Sequence, residues 1–211
     1  MLDIIHELNE NTLRKIVKVI DDGGVIAFPT ETVYALAADA SNYEAVEKIY
    51  KLKRRFSEKP LPILVGDINQ AKRIAEFDER ANKLALRFFP GSITLVLKSN
   101  IRHNLASNVN PQGGTIGLRM PNNIAALKIL KAVGRPLIGT SANISNQKSA
   151  TCTAEIVEVF NDQINMIIDL GATESDVAST IIDLTETQSK ILREGVVPKK
   201  KIEEILGETI I

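Results

Sequence analysis

Basic and hydroxyl side chains, rather than acids and histidines, carry the chemistry open to this 211-residue chain. Between Lys48 and Lys59 (KIYKLKRRFSEK), six basic residues, Lys48, Lys51, Lys53, Arg54, Arg55 and Lys59, stand against Glu58 alone. Residues two apart do not share a helix face, but they do share a face of extended chain. If the helix here ends near Lys53, then Lys53 and Arg55 can converge on one anion, a point charge beside a bidentate fork. Lys59 can follow from the next bend. The same run also reads as a solvated basic helix face, and spacing does not choose between the two.

Three further places are too polar for their surroundings. Phe28-Pro-Thr-Glu-Thr-Val-Tyr34 follows an apolar run, and polar residues at a strand's C-terminal end suit a ligand crevice in an α/β sheet. A plain turn, with Thr30 or Thr32 capping a following helix, reads equally well. Gly139-Thr-Ser-Ala-Asn-Ile-Ser145 also ends an apolar strand. There Ser141 and Asn143 either present hydroxyl and amide to one side of extended chain, suited to phosphate or sugar, or form an Asx-type turn. The third place is a set of single residues in or beside late strands: Arg119, Ser179 and Arg193. An arginine in an apolar strand needs a carboxylate or a ligand, and by base rate the partner is an internal salt bridge. Together these segments describe a cleft for a phosphate-bearing ligand. With nucleophiles and bases missing, it would work by positioning and electrostatics.

Composition removes other chemistries. The two histidines, His6 and His103, lie in polar or terminal stretches and read as solvated, so a Ser-His-Asp triad or a His-rich metal site is not expected. A single cysteine, Cys152, excludes a disulfide framework and Cys-rich zinc sites, and makes a reducing cytoplasm the default. Neither a P-loop nor a G-x-G-x-x-G fingerprint occurs. Lys+Arg and Asp+Glu balance at 26 each, which argues against a DNA-coating protein. Trp is absent and aromatics are 4%, which leaves little for base stacking. No apolar run approaches the roughly 20 residues of a membrane span, and the N-terminus lacks a signal-peptide pattern.

The elements that must position these residues alternate along the chain. Helical periodicity marks 11–22, 42–53, 68–77, 78–89, 122–133, 154–161 and 199–206. Strand-like runs mark 25–28, 61–65, 93–97, 115–120, 136–138, 166–170 and 180–184. Some neighbouring strands leave no room for a helical crossover. The expected fold is therefore one α/β domain over 1–211, core about 9–198, on a twisted mixed parallel and antiparallel sheet.

PTETVYALAADA (29–40), LKRRFSEKPL (52–61), FPGSITLVL (89–97), IGLRMP (116–121), TSAN (140–143), STIIDLT (179–185) and ILREGVV (191–197) resemble, in order and spacing, the motifs of the YrdC-like family of threonylcarbamoyl-adenylate synthases. The resemblance covers nearly the whole chain. Its K-x-R signature falls on Lys53 and Arg55, and its S-x-N signature on Ser141 and Asn143. It implies a YrdC-like fold around a positively lined cavity. The reaction it implies converts L-threonine, bicarbonate and ATP (arriving with Mg²⁺) into L-threonylcarbamoyl-adenylate and pyrophosphate. Separate transfer proteins would pass the threonylcarbamoyl group to the adenosine 3′ of the anticodon in ANN-reading tRNAs.

On this resemblance Lys53 and Arg55 are the catalytic pair. ATP falls to Lys53, Arg55, Lys59, Thr115, Ser141, Asn143, Ser149 and Arg193. Threonine falls to Thr32, Arg119, Gly139 and Ser179, with Arg119 clamping its carboxylate. No protein metal site is implied. Departures are Ala35 for the usual Gly, Phe56 for Pro, Asn146 for Gly, and Leu64 where some threonine-binding members carry His. The chain resembles the short, single-domain branch, without the additional C-terminal domain. Rival readings are a non-synthase paralogue acting in RNA binding or ribosome maturation, a carbamoyl-adenylate domain of a hydrogenase maturation protein, and a tRNA-binding module. At most weak, non-specific RNA binding is expected.

Overall fold

Capping chemistry sets most helix starts. In the computed structural model, which describes residues 2–100 and 104–211, Asn9 accepts from the backbone N–H of Asn11 and Thr12, while the Thr12 hydroxyl accepts from Asn9 N–H. This reciprocal box satisfies donors that a helix start leaves orphaned. After β1 (Asp3–Ile5), it opens α1 (Glu10–Asp21). β2 (Ile26–Phe28) and β3 (Ala35–Asp39) follow, and Asn42 caps α2 (Tyr43–Lys53). Next come β4 (Ile63–Leu64), α3 (Ile68–Ile74), α4 (Glu79–Phe88), β5 (Ile93–Lys98) and β6 (Thr115–Arg119). Asp67 and Asp78 cap α3 and α4 by accepting from Gln70 N–H and Ala81 N–H, each at 2.8 Å. Asn123 caps α5 (Ile124–Val133), and Gly134, at φ 71°, stops it as glycine can. β7 (Leu137–Ser141), α6 (Thr153–Phe160), β8 (Met166–Ile168), β9 (Thr180–Asp183), β10 (Lys190–Arg193) and α7 (Lys199–Leu206) complete the order.

The described strands form one ten-stranded sheet, ordered β1-β8-β2-β3-β7-β4-β6-β5-β9-β10. It is mixed, as expected: β1–β8, β2–β8, β4–β6 and β5–β9 are parallel, and the other neighbours antiparallel. Three strands go beyond the sequence expectation. β1 is three residues long, and β10 carries Arg193 at an edge. β3 (ALAAD) is wholly buried but alanine-rich, so neither alternation nor β-branched residues mark it. The strand expected to start at 136–138 extends to Ser141, where β3 pairs with it residue for residue from Ala35↔Ser141 to Asp39↔Leu137.

The two faces of the sheet are covered unequally. On one, α2, α3, α4, α6 and α7 bury Val46, Ile49, Ile74, Leu84, Ile156 and Ile202 against Leu36, Ile63, Leu95, Leu118 and Ile182. On the other, α1 and α5 bury Ile16, Ile20, Ile129 and Leu130, with Phe28, Ala37, Leu64 and Leu137 beneath them. That second cover reaches only to β7 and β4. Beyond it, Thr94 and Val96 of β5, Gly117 and Arg119 of β6, and Ile181 and Asp183 of β9 project into a cavity instead of a core.

Leu64 stands at the border. Its registered neighbour is Arg119, so it points to the cavity side of the sheet, yet it is 2% exposed and packs in the second core. It occupies the space that a side chain at 139 would need: a Cβ on Gly139 would meet Leu64 Cγ at 2.0 Å. Gly139 is therefore required by close approach, not by a special dihedral angle. Gly139→Ala is expected to cost about 1–3 kcal/mol through overpacking, read by urea unfolding. Pairing it with Leu64→Ala should recover part of its own penalty, giving a coupling that a double-mutant cycle detects.

Candidate functional site

The uncovered half of the sheet floors a cavity of about 790 Å³. Its walls come from the α2–β4 loop, β6, the turn after β7, and the β9–β10 pair. Every residue expected in the site lines it except Thr32: Lys53, Arg55, Lys59, Thr115, Arg119, Gly139, Ser141, Asn143, Ser149, Ser179 and Arg193. Thr32 is fully buried behind Arg119. His6 is exposed, its Nδ1 3.5 Å from the Asp169 carboxylate; His103 lies outside the described residues.

Lys53 and Arg55 do not share an extended face. Lys53 is the last residue of α2, and Arg54 turns left-handed at φ 47°, so the chain bends between them. The Lys53 side chain is 2% exposed, and its ammonium donates to Ser141 O (2.5 Å), Asn143 O (2.9 Å) and Asn143 Oδ1 (2.9 Å). Three N–H groups meet three oxygens. Lys53 is thus a wall of the cavity rather than a free point charge within it. The Lys53 carbonyl in turn accepts from Ser145 N–H at 2.8 Å, so helix end and turn hold each other twice. Burial, and after it the Arg55 charge, pushes the Lys53 pKa down from 10.5 to about 7.

Ser141 and Asn143 meet in the turn that the sequence offered as one alternative. Asn143 N–H donates to Ser141 O, the Ser141 hydroxyl donates to Asn143 Oδ1 at 2.7 Å, and Asn143 Nδ2 donates to Gln147 O at 2.6 Å. The hydroxyl proton is spent, so Ser141 Oγ offers the cavity its lone pairs. In the other polar turn, Thr30 and Thr32 cap no helix, because β3 follows them. Thr30 Oγ1 donates to Val33 O at 2.7 Å, and its one proton is then used. The 2.9 Å contact between the two hydroxyls is therefore donated by Thr32, which in turn accepts from Arg119 Nη2 at 2.8 Å.

Arg119 has the internal partner that base rate favours: Glu31 Oε1, at 2.8 Å. Glu31 stands in the polar turn expected to face a ligand crevice, but its role as the partner of Arg119 is evident only from this contact across 88 positions. Arg55 and Arg193 have no carboxylate partner among the described residues. Arg55 donates to Lys59 O and Pro60 O, and Arg193 to Ser179 O at 2.7 Å. Burial pushes both guanidinium pKa values down, and for Arg193 the charges of Arg119 and Arg55 add to it. Arginine stays charged in proteins, so the outcome is an unrelieved positive potential. Asp183 is the one carboxylate on the wall among the described residues, and its Oδ1 accepts from Thr185 N–H and hydroxyl. The arrangement suits a polyanion held by Arg55, Lys59 and Arg193, with the Thr115 and Ser149 hydroxyls also on the wall.

A family model named Sua5/YciO/YrdC, and described as telomere recombination, matches residues 18–195. A threonylcarbamoyl-AMP synthase of Pyrococcus abyssi is 39% identical over 212 residues, which is 99% of this chain and 61% of that relative. Pyrococcus abyssi Sua5 complexed with L-threonine superposes with a TM-score of 0.93 at 37% identity, over all of this chain and 62% of that one. E. coli YciO superposes with a TM-score of 0.86 at 26% identity, over 96% of this chain and 98% of that one.

Lys53 makes a testable statement about stability. Its folded pKa lies below that of the free side chain, so between about pH 7 and 10.5 the unfolded chain binds more protons. The penalty for the buried charge is complete below pH 7 and fades as pH rises. Wild-type stability should therefore gain a rising component from pH 7 to 9 that Lys53→Met lacks. At pH 7 Lys53→Met should still lose about 2–5 kcal/mol, because it strands three oxygens. Urea unfolding at stepped pH checks both.

Proposed function

The chain belongs to the Sua5/YciO/YrdC family, and from that premise we propose that it is an L-threonylcarbamoyl-adenylate synthase, an enzyme of the nucleotidyltransferase class. The observation that carries this reading is the cavity in which Arg55, Lys59 and Arg193 stand without carboxylate partners among the described residues. Such a site is destabilising unless an anion fills it. ATP, with Mg²⁺ bound to its phosphates, supplies that anion. The chain spans 61% of the Pyrococcus abyssi relative, so the activity is proposed for this chain in its own right.

The chemistry asks little of the side chains beyond position. The threonine amine attacks bicarbonate-derived CO₂ carbon, forms the N–C bond and gives up a proton. The resulting carbamate oxygen attacks the α-phosphorus, the bond from the α-phosphorus to the bridging oxygen breaks, and pyrophosphate leaves with that electron pair. Negative charge grows on the phosphate oxygens as this happens. Arg55, Lys59 and Arg193 neutralise it, and the Lys53-held turn sets Ser141 and Asn143 against the nucleotide. Arg119 receives the threonine carboxylate, with Ser179 beside it. The product passes to separate transfer proteins for tRNA modification in the cytoplasm, and RNA binding by this chain itself is weak and non-specific.

The test is pyrophosphate release from the purified chain with ATP, Mg²⁺ and bicarbonate, with and without L-threonine. Release should require threonine and bicarbonate together. It should fall at least a hundredfold in Arg55→Ala, and as far in Lys53→Ala. Folded protein that releases no pyrophosphate in response to threonine overturns the reading, in favour of the non-catalytic RNA-binding paralogue.

A further inference from the structure

Glu31 is absent from the cavity wall, yet it ties together three segments that build it. Oε1 accepts from Arg119 Nη2 at 2.8 Å and from the Ser92 hydroxyl at 3.0 Å; Oε2 accepts from the backbone N–H of Asn122 at 3.1 Å. The Glu31 and Arg119 side chains are each 11% exposed. The second Nη2 proton of Arg119 goes to Thr32 Oγ1, and Nε reaches Gly91 O at 3.4 Å. Among the described residues, Arg119 Nη1 has no hydrogen-bond partner, while Arg119 lines the cavity. The carboxylate and hydroxyl thus fix the plane of the guanidinium and leave one nitrogen, with two donors, for a ligand.

The charges matter as much as the angles. Among the described residues Arg55, Lys59 and Arg193 have no carboxylate partner, whereas the Arg119–Glu31 pair has no net charge. A polyanion gains most from the first place. A zwitterionic amino acid, itself without net charge, gains little from a bare cation but much from a correctly aimed N–H pair. We propose that Glu31 is a positioning residue that aims Arg119 Nη1 at the amino-acid carboxylate and, by cancelling the charge of Arg119, keeps the triphosphate out of that subsite. The proposal rests on the synthase reading for the identity of the amino acid.

The experiment is calorimetric titration of the full chain with L-threonine, alone and with inorganic tripolyphosphate present. Wild type should bind threonine with an affinity that tripolyphosphate changes less than threefold. Glu31→Gln keeps the shape but leaves Arg119 uncompensated. It should bind threonine at least tenfold more weakly, and tripolyphosphate should then compete with threonine. A purely structural ion pair would lower the melting temperature without creating that competition. Glu31→Gln that binds threonine within threefold of wild type, with no competition, overturns the proposal. Wild type that binds no threonine overturns the synthase reading instead, and the proposal with it. Should Glu31→Gln not fold, Ser92→Ala loosens Glu31 alone: a two- to fivefold loss of threonine affinity with tripolyphosphate affinity unchanged supports the proposal, and no change in either overturns it.

Discussion

The buried ammonium of Lys53 is the contact on which the site depends. It ends α2 and grips the turn after β7 through three oxygens, at a sequence distance of about ninety residues. A buried charge that loses its partners is costly, so the turn can take one arrangement and few others. The backbone repeats the constraint in the opposite direction through Ser145 N–H and Lys53 O. An apolar side chain at position 53 would be easier to bury, but it would impose no such geometry on Ser141 and Asn143. Stability is exchanged here for a defined turn.

The incomplete cover of the sheet does the rest. α1 and α5 stop short of β6, β5 and β9, so residues that would otherwise be core project into open space. On β6 Leu118 and the Ile116 side chain are buried in the opposite core, while Thr115, Gly117 and Arg119 meet the cavity and Ile116 borders it. One strand therefore serves folding with one face and binding with the other. The border is held by Leu64 lying over Gly139, where a larger residue at 139 has no room. Leu64 thereby closes off the apolar core from the polar cavity.

Charge within the cavity is not uniform. Half-buried Arg55 and the more exposed Arg193 stand among like charges, an arrangement that weakens the fold and strengthens anion binding. Arg119 is different in kind: its charge is answered by Glu31, and its value to a ligand lies in direction. Arg119 and Arg193, each in a late-strand motif, thus offer different chemistry, and only their partners distinguish them.

Much of this was legible in the residues alone. Helices announce themselves by local periodicity and caps, so Asn9, Asn42 and Asn123 stand where the patterns begin. The mixed sheet follows from strands too close for crossovers. The motifs name the cavity's residues, because phosphate chemistry needs arginine, lysine and hydroxyl groups in quantity. What the chain could not announce is pairing at a distance. β3 is invisible because alanine marks burial without marking extension. The bend at Arg54 separates Lys53 from Arg55, and an i, i+2 rule cannot foresee a left-handed residue between them. Glu31 looks like any acid in a turn until β6 brings Arg119 to it. Local periodicity is set by neighbours within a few residues. The protonation, direction and net charge of a site are set by groups that only the folded sheet brings within 3 Å.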